Sequence, residues 1–170
     1  MLRPSSKGAS DAQGIELLRK MMSPRAIRRG HAGDLPAVAQ LLESEGLPGA
    51  DLASAHQFQT WLLEEQGSLL GVVGLERFGH EALLRSLAVA PDHRKRGLGR
   101  QLVARLEQDA DAEGIQRLVL LTETAHAFFR DLGYAVIDRR RVSDEVRQSA
   151  EFRSLCPASA ICMSKTLRNA

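Results

Sequence analysis

Four cationic side chains bracket two glycines in the stretch Arg94-Lys95-Arg96-Gly97-Leu98-Gly99-Arg100, and a helix-patterned run comes directly after it. Glycines at 97 and 99 remove the β-carbons that would hold a backbone away from a phosphate. N–H groups in the first turn of a helix lack intrahelical acceptors and carry the positive end of its dipole. Arg94, Lys95, Arg96 and Arg100 add charge around such a nest, which therefore suits a diphosphate better than an uncharged ligand. The competing view is a solvated basic turn, because short glycine motifs are permissive. Neither G-x-x-x-x-G-K-[ST] nor G-x-G-x-x-G is present, so the two commonest phosphate-loop patterns are excluded.

Just upstream, Arg85 interrupts an otherwise apolar run, LLRSLAVA. An arginine in a strand suited to burial is costly unless it is paired or lines a wet pocket. Strand alternation predicts that it shares a face with Leu87 and Val89. There it could grip a substrate carboxylate bidentately, or form an internal ion pair with a carboxylate such as Glu76 or Glu123.

The elements that must carry these groups emerge from periodicity. RAIRR reads as a short strand and AGDLPAVAQLLESEG as a helix, with Asp34 as cap, Pro36 in the first turn and Gly46 as stop. Three antiparallel strands span FQTWLLEEQGSLLGVVGLERFGHEALLRSLAVAP, broken near Gln66-Gly67 and Gly79-His80, and the third is apolar enough to be buried on both faces. Leu98, Leu102, Val103, Leu106 and Ala110 then mark one face of a helix ending near Gly114. RLVLLT (strand), TAHAFFRDLG (helix), YAVIDR (strand), SDEVRQSAEF (helix) and ASAICMSKTL (strand) complete the pattern. Trp61 and Phe58 are expected in the core.

The bulk properties narrow the function classes. The 170 residues fit one domain, expected over 24–170, behind a loosely ordered tail at 1–23; Met21 and Met22 would suit an alternative start. A net charge of +2, from 23 Lys and Arg against 21 Asp and Glu, gives no global field for coating a nucleic acid, and no aromatics interleave the basic cluster. No apolar run approaches a membrane span, and no secretory leader is evident, so a cytoplasmic protein without a membrane partner is expected. Cys156 and Cys162 lack C-x-x-C spacing and are expected as free thiols; no metal site is expected. A homodimer stays open.

The segment LLRSLAVAPDHRKRGLGRQLVARLEQDA resembles the acetyl-CoA signature of the GNAT N-acetyltransferases: a buried strand ending L-A-V-x-P, then R-x-x-G-x-G, then a helix. Residues 25–167 keep that family's order of elements. The resemblance implies an α/β (α+β) fold, with a mixed, mostly antiparallel sheet of about six or seven strands flanked by about four helices. It also implies acetyl-CoA as co-substrate. Its pantetheine arm would lie along the backbone of Leu87, Ala88 and Val89, and its diphosphate on the N–H groups of Lys95, Arg96, Gly97, Leu98 and Gly99, with Arg100 beside them and Arg94 opening the motif. LTETAHAFFRDLGY is similar to the acetyltransferase segment of N-acetylglutamate synthases. Together with FRSLCPASAICMSKTL, it looks most like GNAT proteins associated with arsenic-resistance operons, a group described as amino-acid-type N-acetyltransferases.

Acetyl transfer needs a neutral amine and a proton for the departing thiolate; an alkyl ammonium titrates at about 10 and a thiol at about 8.5, so a base and an acid both help. The family's usual tyrosine acid falls at Phe129, which donates no proton and would instead line the cofactor. Tyr134, the only tyrosine, sits where core packing is expected. Glu81, acting through water, and Glu76 are the candidate bases, each also readable as a turn or salt-bridge residue. Cys156 is a candidate for the substrate side, and the two thiols could bind a trivalent arsenical or simply pack. Three functions remain: acetylation of a small amino acid or amino-acid-like compound, acetylation of a protein N-terminus or lysine, or non-catalytic sensing of an acyl-CoA or arsenical.

Overall fold

The computed structural model describes residues 8–55 and 57–167. Its strands are β1 (Ala26–Arg29), β2 (Phe58–Glu65), β3 (Ser68–Phe78), β4 (Glu81–Val89), β5 (Arg117–Thr122), β6 (Ala135–Val136) and β7 (Ile161–Thr166). Its helices are α1 (Gly8–Met21), α2 (Leu35–Ser44), α3 (Leu98–Ala112), α4 (His126–Asp131) and α5 (Asp144–Arg147), with a π-turn after them at Glu151–Leu155. The strands form one seven-stranded sheet in the order β1-β2-β3-β4-β5-β7-β6. Neighbours are antiparallel except β4 and β5, which run parallel, so the expected mixed, mostly antiparallel α/β architecture is what the chain adopts.

Two apolar faces hold the helices to the sheet. On one, Trp61, Leu63, Val73, Leu75, Ala82 and Leu84 meet the α3 stripe of Leu98, Leu102, Val103, Leu106 and Ala110, all buried. Each fully buried leucine contributes about 1.5–3 kcal/mol. On the other face, Val38 and Leu42 of α2 pack on Leu62, Val72 and Ala88, and Val146 of α5 packs on Leu83, Val119 and Cys162. β4, expected to be buried on both faces, contributes to both clusters and lies at the centre of the sheet. The Trp61 indole donates to Asp109 at 2.7 Å, tying β2 to α3.

Two irregularities in β4 shape the centre of the sheet. Its pairing with β5 stops after Glu81–Leu83 against Arg117–Val119, so the two parallel strands part over Leu84–Val89 and Leu120–Thr122. The second is a β-bulge. Val72 pairs with Ala88 but Gly74 with Arg85, so β4 carries one extra residue there, and Ser86 sits at φ 58°. That extra residue overturns the expectation that Arg85 shares a face with Leu87 and Val89. Leu87 and Val89 pack with the α3 cluster, while Arg85 turns to the face that carries Glu76.

Other expectations shift locally. Of the segment expected as a loosely ordered tail, residues 1–7 lie outside the described residues; Gly8–Met21 form α1, with Ile15, Leu17, Leu18 and Met21 exposed, so good helix formers rather than core burial hold it. The single helix expected over SDEVRQSAEF is two short turns, α5 and the π-turn. YAVIDR supplies only the two-residue edge strand β6. Asp34 precedes α2, but its carboxylate accepts from the His31 N–H at 2.9 Å and pairs with Arg28, which with that backbone bond holds its pKa down at about 2. Among the described residues, no helix is long and apolar enough to cross a membrane.

Candidate active site

The parting of β4 and β5 opens a cavity of about 380 Å³ through the sheet, with Arg85, Ser86 and Leu87 on one wall and Leu120, Leu121 and Thr122 on the other. Phe129 and Ala125 close it from the α4 side; Glu151, Cys156 and Pro157 close it from the opposite face. Unpaired parallel strand ends are a common ligand crevice, since backbone groups there have no neighbour to bond.

A second cavity, about 540 Å³, adjoins it at Leu87 and Ala125. Its wall is the loop singled out by spacing: Val89, Arg94, Lys95, Gly97, Leu98, Gly99 and Arg100, together with His93 and Phe128. Gly97 caps α3 at φ 74°, and the first helical bond runs from the Gln101 N–H to the Gly97 carbonyl, so the N–H groups of the first turn lack helical acceptors. Lys95 is also left-handed, at φ 59°. Gly97 thus meets a conformational need. Gly99 does not: a β-carbon there would come only to 3.5 Å from the Phe128 ring, an ordinary contact, so neither conformation nor crowding within the fold requires glycine there.

The charges around the loop divide. Lys95 and Arg100 are exposed with no ion pair among the described residues. Arg94 instead pairs with Glu45 and donates to the Val89 carbonyl at 3.1 Å, bracing the loop against the end of α2. Arg96 leans on His93 at 3.0 Å. Ala88 is buried against α2 and Phe129 packs in the α3 core beside Phe128 and Tyr134, so neither these two nor Arg96 joins the loop cavity.

Arg85 lies 1% exposed at the far wall of the sheet opening, inside a ring of carboxylates. Asp51 takes both terminal nitrogens, at 2.7 and 2.9 Å. Glu76 accepts from the first nitrogen at 3.4 Å, and Glu151 lies 3.1 Å from the second. Burial works against the guanidinium charge, but the Asp51 hydrogen bond and the charges of Glu151, Asp51 and Glu76 outweigh it and hold the pKa above the usual arginine range. Gly74 lets the Phe58 ring slide under this cluster, since a β-carbon there would come to 2.6 Å from the ring. Of the two ion-pair partners foreseen, Glu76 is engaged and Glu123 is not; it is exposed at the cavity rim.

The remaining candidates separate. Glu81 sits at the closed end of the sheet, about 13 Å along the strand from Arg85. It is bound there by Arg117 and accepts from the Ser143 N–H at 3.0 Å. Tyr134 is buried and donates to Glu107 at 2.9 Å, while burial, and then the Glu107 charge, push its hydroxyl far above the normal phenol range. Cys156 donates its thiol to Glu151 at 3.1 Å, and burial together with the Glu151 charge pushes it up to about 12. Cys162 is buried under α5, its pKa raised by burial to about 11. His126 is exposed on α4. Among the described residues, no group of three or more His, Cys, Asp or Glu could hold a metal ion.

Asp51 and Glu151 were invisible in the sequence, because one lies in the loop before β2 and the other in a π-turn near the end of the chain. Only the isolated Arg85 hinted that such partners must exist.

Comparison with known proteins agrees with this geometry. Residues 28–134 match the acetyltransferase (GNAT) family model. An amino-acid acetyltransferase of Neisseria meningitidis is 28% identical over 137 residues, covering 76% of this chain and 31% of the relative. The chain therefore spans about a third of the length of the curated relatives it first matches. Among solved structures, N-acetylglutamate synthase from Neisseria gonorrhoeae in complex with coenzyme A and N-acetyl-glutamate superposes with a TM-score of 0.71 at 24% identity, over 86% of this chain and 36% of that one. Rv2747 from Mycobacterium tuberculosis, solved with CoA, gives 0.70 at 26% identity, over 84% of this chain and 99% of that one. With its matching family model, parted β4 and β5 strands and glycine loop ahead of α3, the chain belongs to the GNAT family of acetyltransferases.

Proposed function

We propose that the chain transfers the acetyl group of acetyl-CoA to the amine of a small amino acid or amino-acid-like compound, an arsenical among the candidates, by direct attack on the thioester. One observation carries this: the loop cavity and the sheet opening join at Leu87 and Ala125. A single molecule with a diphosphate at one end and a thioester at the other spans both. The first-turn N–H groups, with Lys95 and Arg100, meet the diphosphate; the edge of β4 at Leu87 and Val89 that faces away from β3 meets the pantetheine amide groups; the thioester reaches the gap beside Phe129. The acceptor enters from the opposite face, past Arg85 and Cys156. Holding the two reactants in line supplies much of the rate even without a tyrosine acid. The compartment we assign is the cytoplasm, and the partner a small amine, with no nucleic acid, membrane or metal ion; a homodimer fits equally.

Acetylation of a protein N-terminus or lysine is favoured by a different observation, that the terminal nitrogens of Arg85 already face carboxylates. Thiol release from acetyl-CoA against amino acids, organoarsenicals and peptides separates these readings. Turnover with small amines is expected; turnover with peptides alone would contradict it, and binding without release for any amine would point to a sensor.

A further inference from the structure

We infer that Glu151 is the residue that meets the acceptor's ammonium group and takes its proton. This role rests on the proposed acetyltransferase function and falls to a group that the sequence did not mark.

Position comes first. Glu151 borders the cavity between β4 and β5 together with Leu87 and Phe129, where the thioester is expected, whereas Glu81 lies at the closed end of the sheet and Glu76 borders a separate hollow with Asp51 and Ser149. Its side chain is 10% exposed. One oxygen accepts the Cys156 thiol; the other, Oε2, is buried with no hydrogen bond, although the Arg85 guanidinium lies 3.1 Å away. A buried carboxylate oxygen without a hydrogen bond is costly, and an N–H donor arriving in the cavity would satisfy it.

Charge points the same way. Three carboxylates, Asp51, Glu76 and Glu151, approach one guanidinium. An incoming ammonium finds favourable partners there, while a further carboxylate would meet like groups. The other titratable groups nearby among the described residues are Cys156, held as a thiol, Arg139 beside the Phe152 ring, and Glu123 at the rim. The mounting also fits: Glu151 opens a π-turn, an irregular helical form common at functional sites.

The step balances simply. One ammonium proton passes to Glu151, and the freed nitrogen lone pair forms the C–N bond at the thioester carbon. The C–S bond breaks, the departing thiolate takes the second nitrogen proton, and Glu151 returns its proton to water.

Glu151→Gln keeps the shape and removes the base. Its kcat is expected to fall about 10²- to 10⁴-fold. Its kcat/KM should recover toward the wild-type value as the pH approaches the amine's own titration at about 10, where the free amine needs no base. Glu151→Asp, which keeps a carboxylate, should lose less at neutral pH, which keeps the inference testable if the glutamine variant folds poorly. The dissociation constant for acetyl-CoA should stay within about twofold, because Glu151 does not line the loop cavity that takes the diphosphate. Calorimetric titration of the CoA-loaded protein with L-amino acids, their amides and α,ω-diamines needs no turnover: wild type should bind at least one, and Glu151→Gln should weaken it about tenfold or more. A glutamine variant with unchanged amine affinity and pH profile would overturn the inference. Amine binding by wild type without any thiol release would instead overturn the acetyltransferase function, leaving Glu151 to be judged by the titration alone.

Discussion

The loop ahead of α3 and the carboxylate ring around Arg85 border two adjoining cavities and are built of opposite materials. The loop offers backbone N–H groups and exposed cations from one contiguous stretch, Arg94 to Arg100. The ring is made of buried and half-buried side chains drawn from β3, β4, the loop before β2 and the π-turn. The difference teaches where each half keeps its stability. A site made of backbone tolerates loss of a side chain, while a ring of buried charges depends on every member.

Arg85→Ala should therefore have the largest effect. It removes the guanidinium that Asp51, Glu76 and Glu151 share and should cost about 3–5 kcal/mol. A thermal melt should fall by on the order of ten degrees. A change of a degree or less would mean that the ring is solvated and the contrast between the two halves is wrong.

The two glycines sharpen the other half. Gly97→Ala should destabilise by about 1–2 kcal/mol, because its left-handed φ of 74° disfavours a β-carbon. Gly99→Val should leave the melt nearly unchanged and raise the acetyl-CoA dissociation constant about tenfold or more, because valine would occupy space kept for the ligand. Calorimetry and melting of the pair distinguish a conformational requirement from access.

Cys156 offers a chemical probe of the ring. With its thiol pushed up to about 12, it should alkylate with iodoacetamide at pH 8 at least a hundredfold more slowly than free cysteine, as read by mass spectrometry. Glu151→Gln should speed it, since the Glu151 charge contributes to the shift. The smallest effect belongs to Tyr134→Phe. Losing the bond to Glu107 should cost about 1 kcal/mol in a melt with kcat unchanged, because Tyr134 packs in the core rather than facing the thioester.

The same contrast explains what the chain's spelling reveals. The loop, α3 and the buried β4 strand are local patterns: Leu98, Leu102, Val103 and Leu106 announce a helix face, and R-x-x-G-x-G sits where that helix begins. The sheet order could be read as far as mixed and mostly antiparallel. The bulge at Ser86 could not, because nothing in LLRSLAVA marks one residue as extra, and a single insertion reverses which face Arg85 serves. Asp51 and Glu151 met Arg85 only through tertiary folding, 34 residues away in the first case. Phe129 stands where the family's usual tyrosine acid would, while the base we infer, Glu151, lay in a segment read as plain helix.

Direct attack requires both halves to be occupied together, with the amine meeting acetyl-CoA across the opening between β4 and β5. Initial rates of thiol release, measured while acetyl-CoA and the amine are varied against each other, test this most directly. The expected result is a family of intersecting double-reciprocal lines, the signature of a ternary complex. Parallel lines, accompanied by an acetylated Cys156 trapped in the absence of amine, would contradict it.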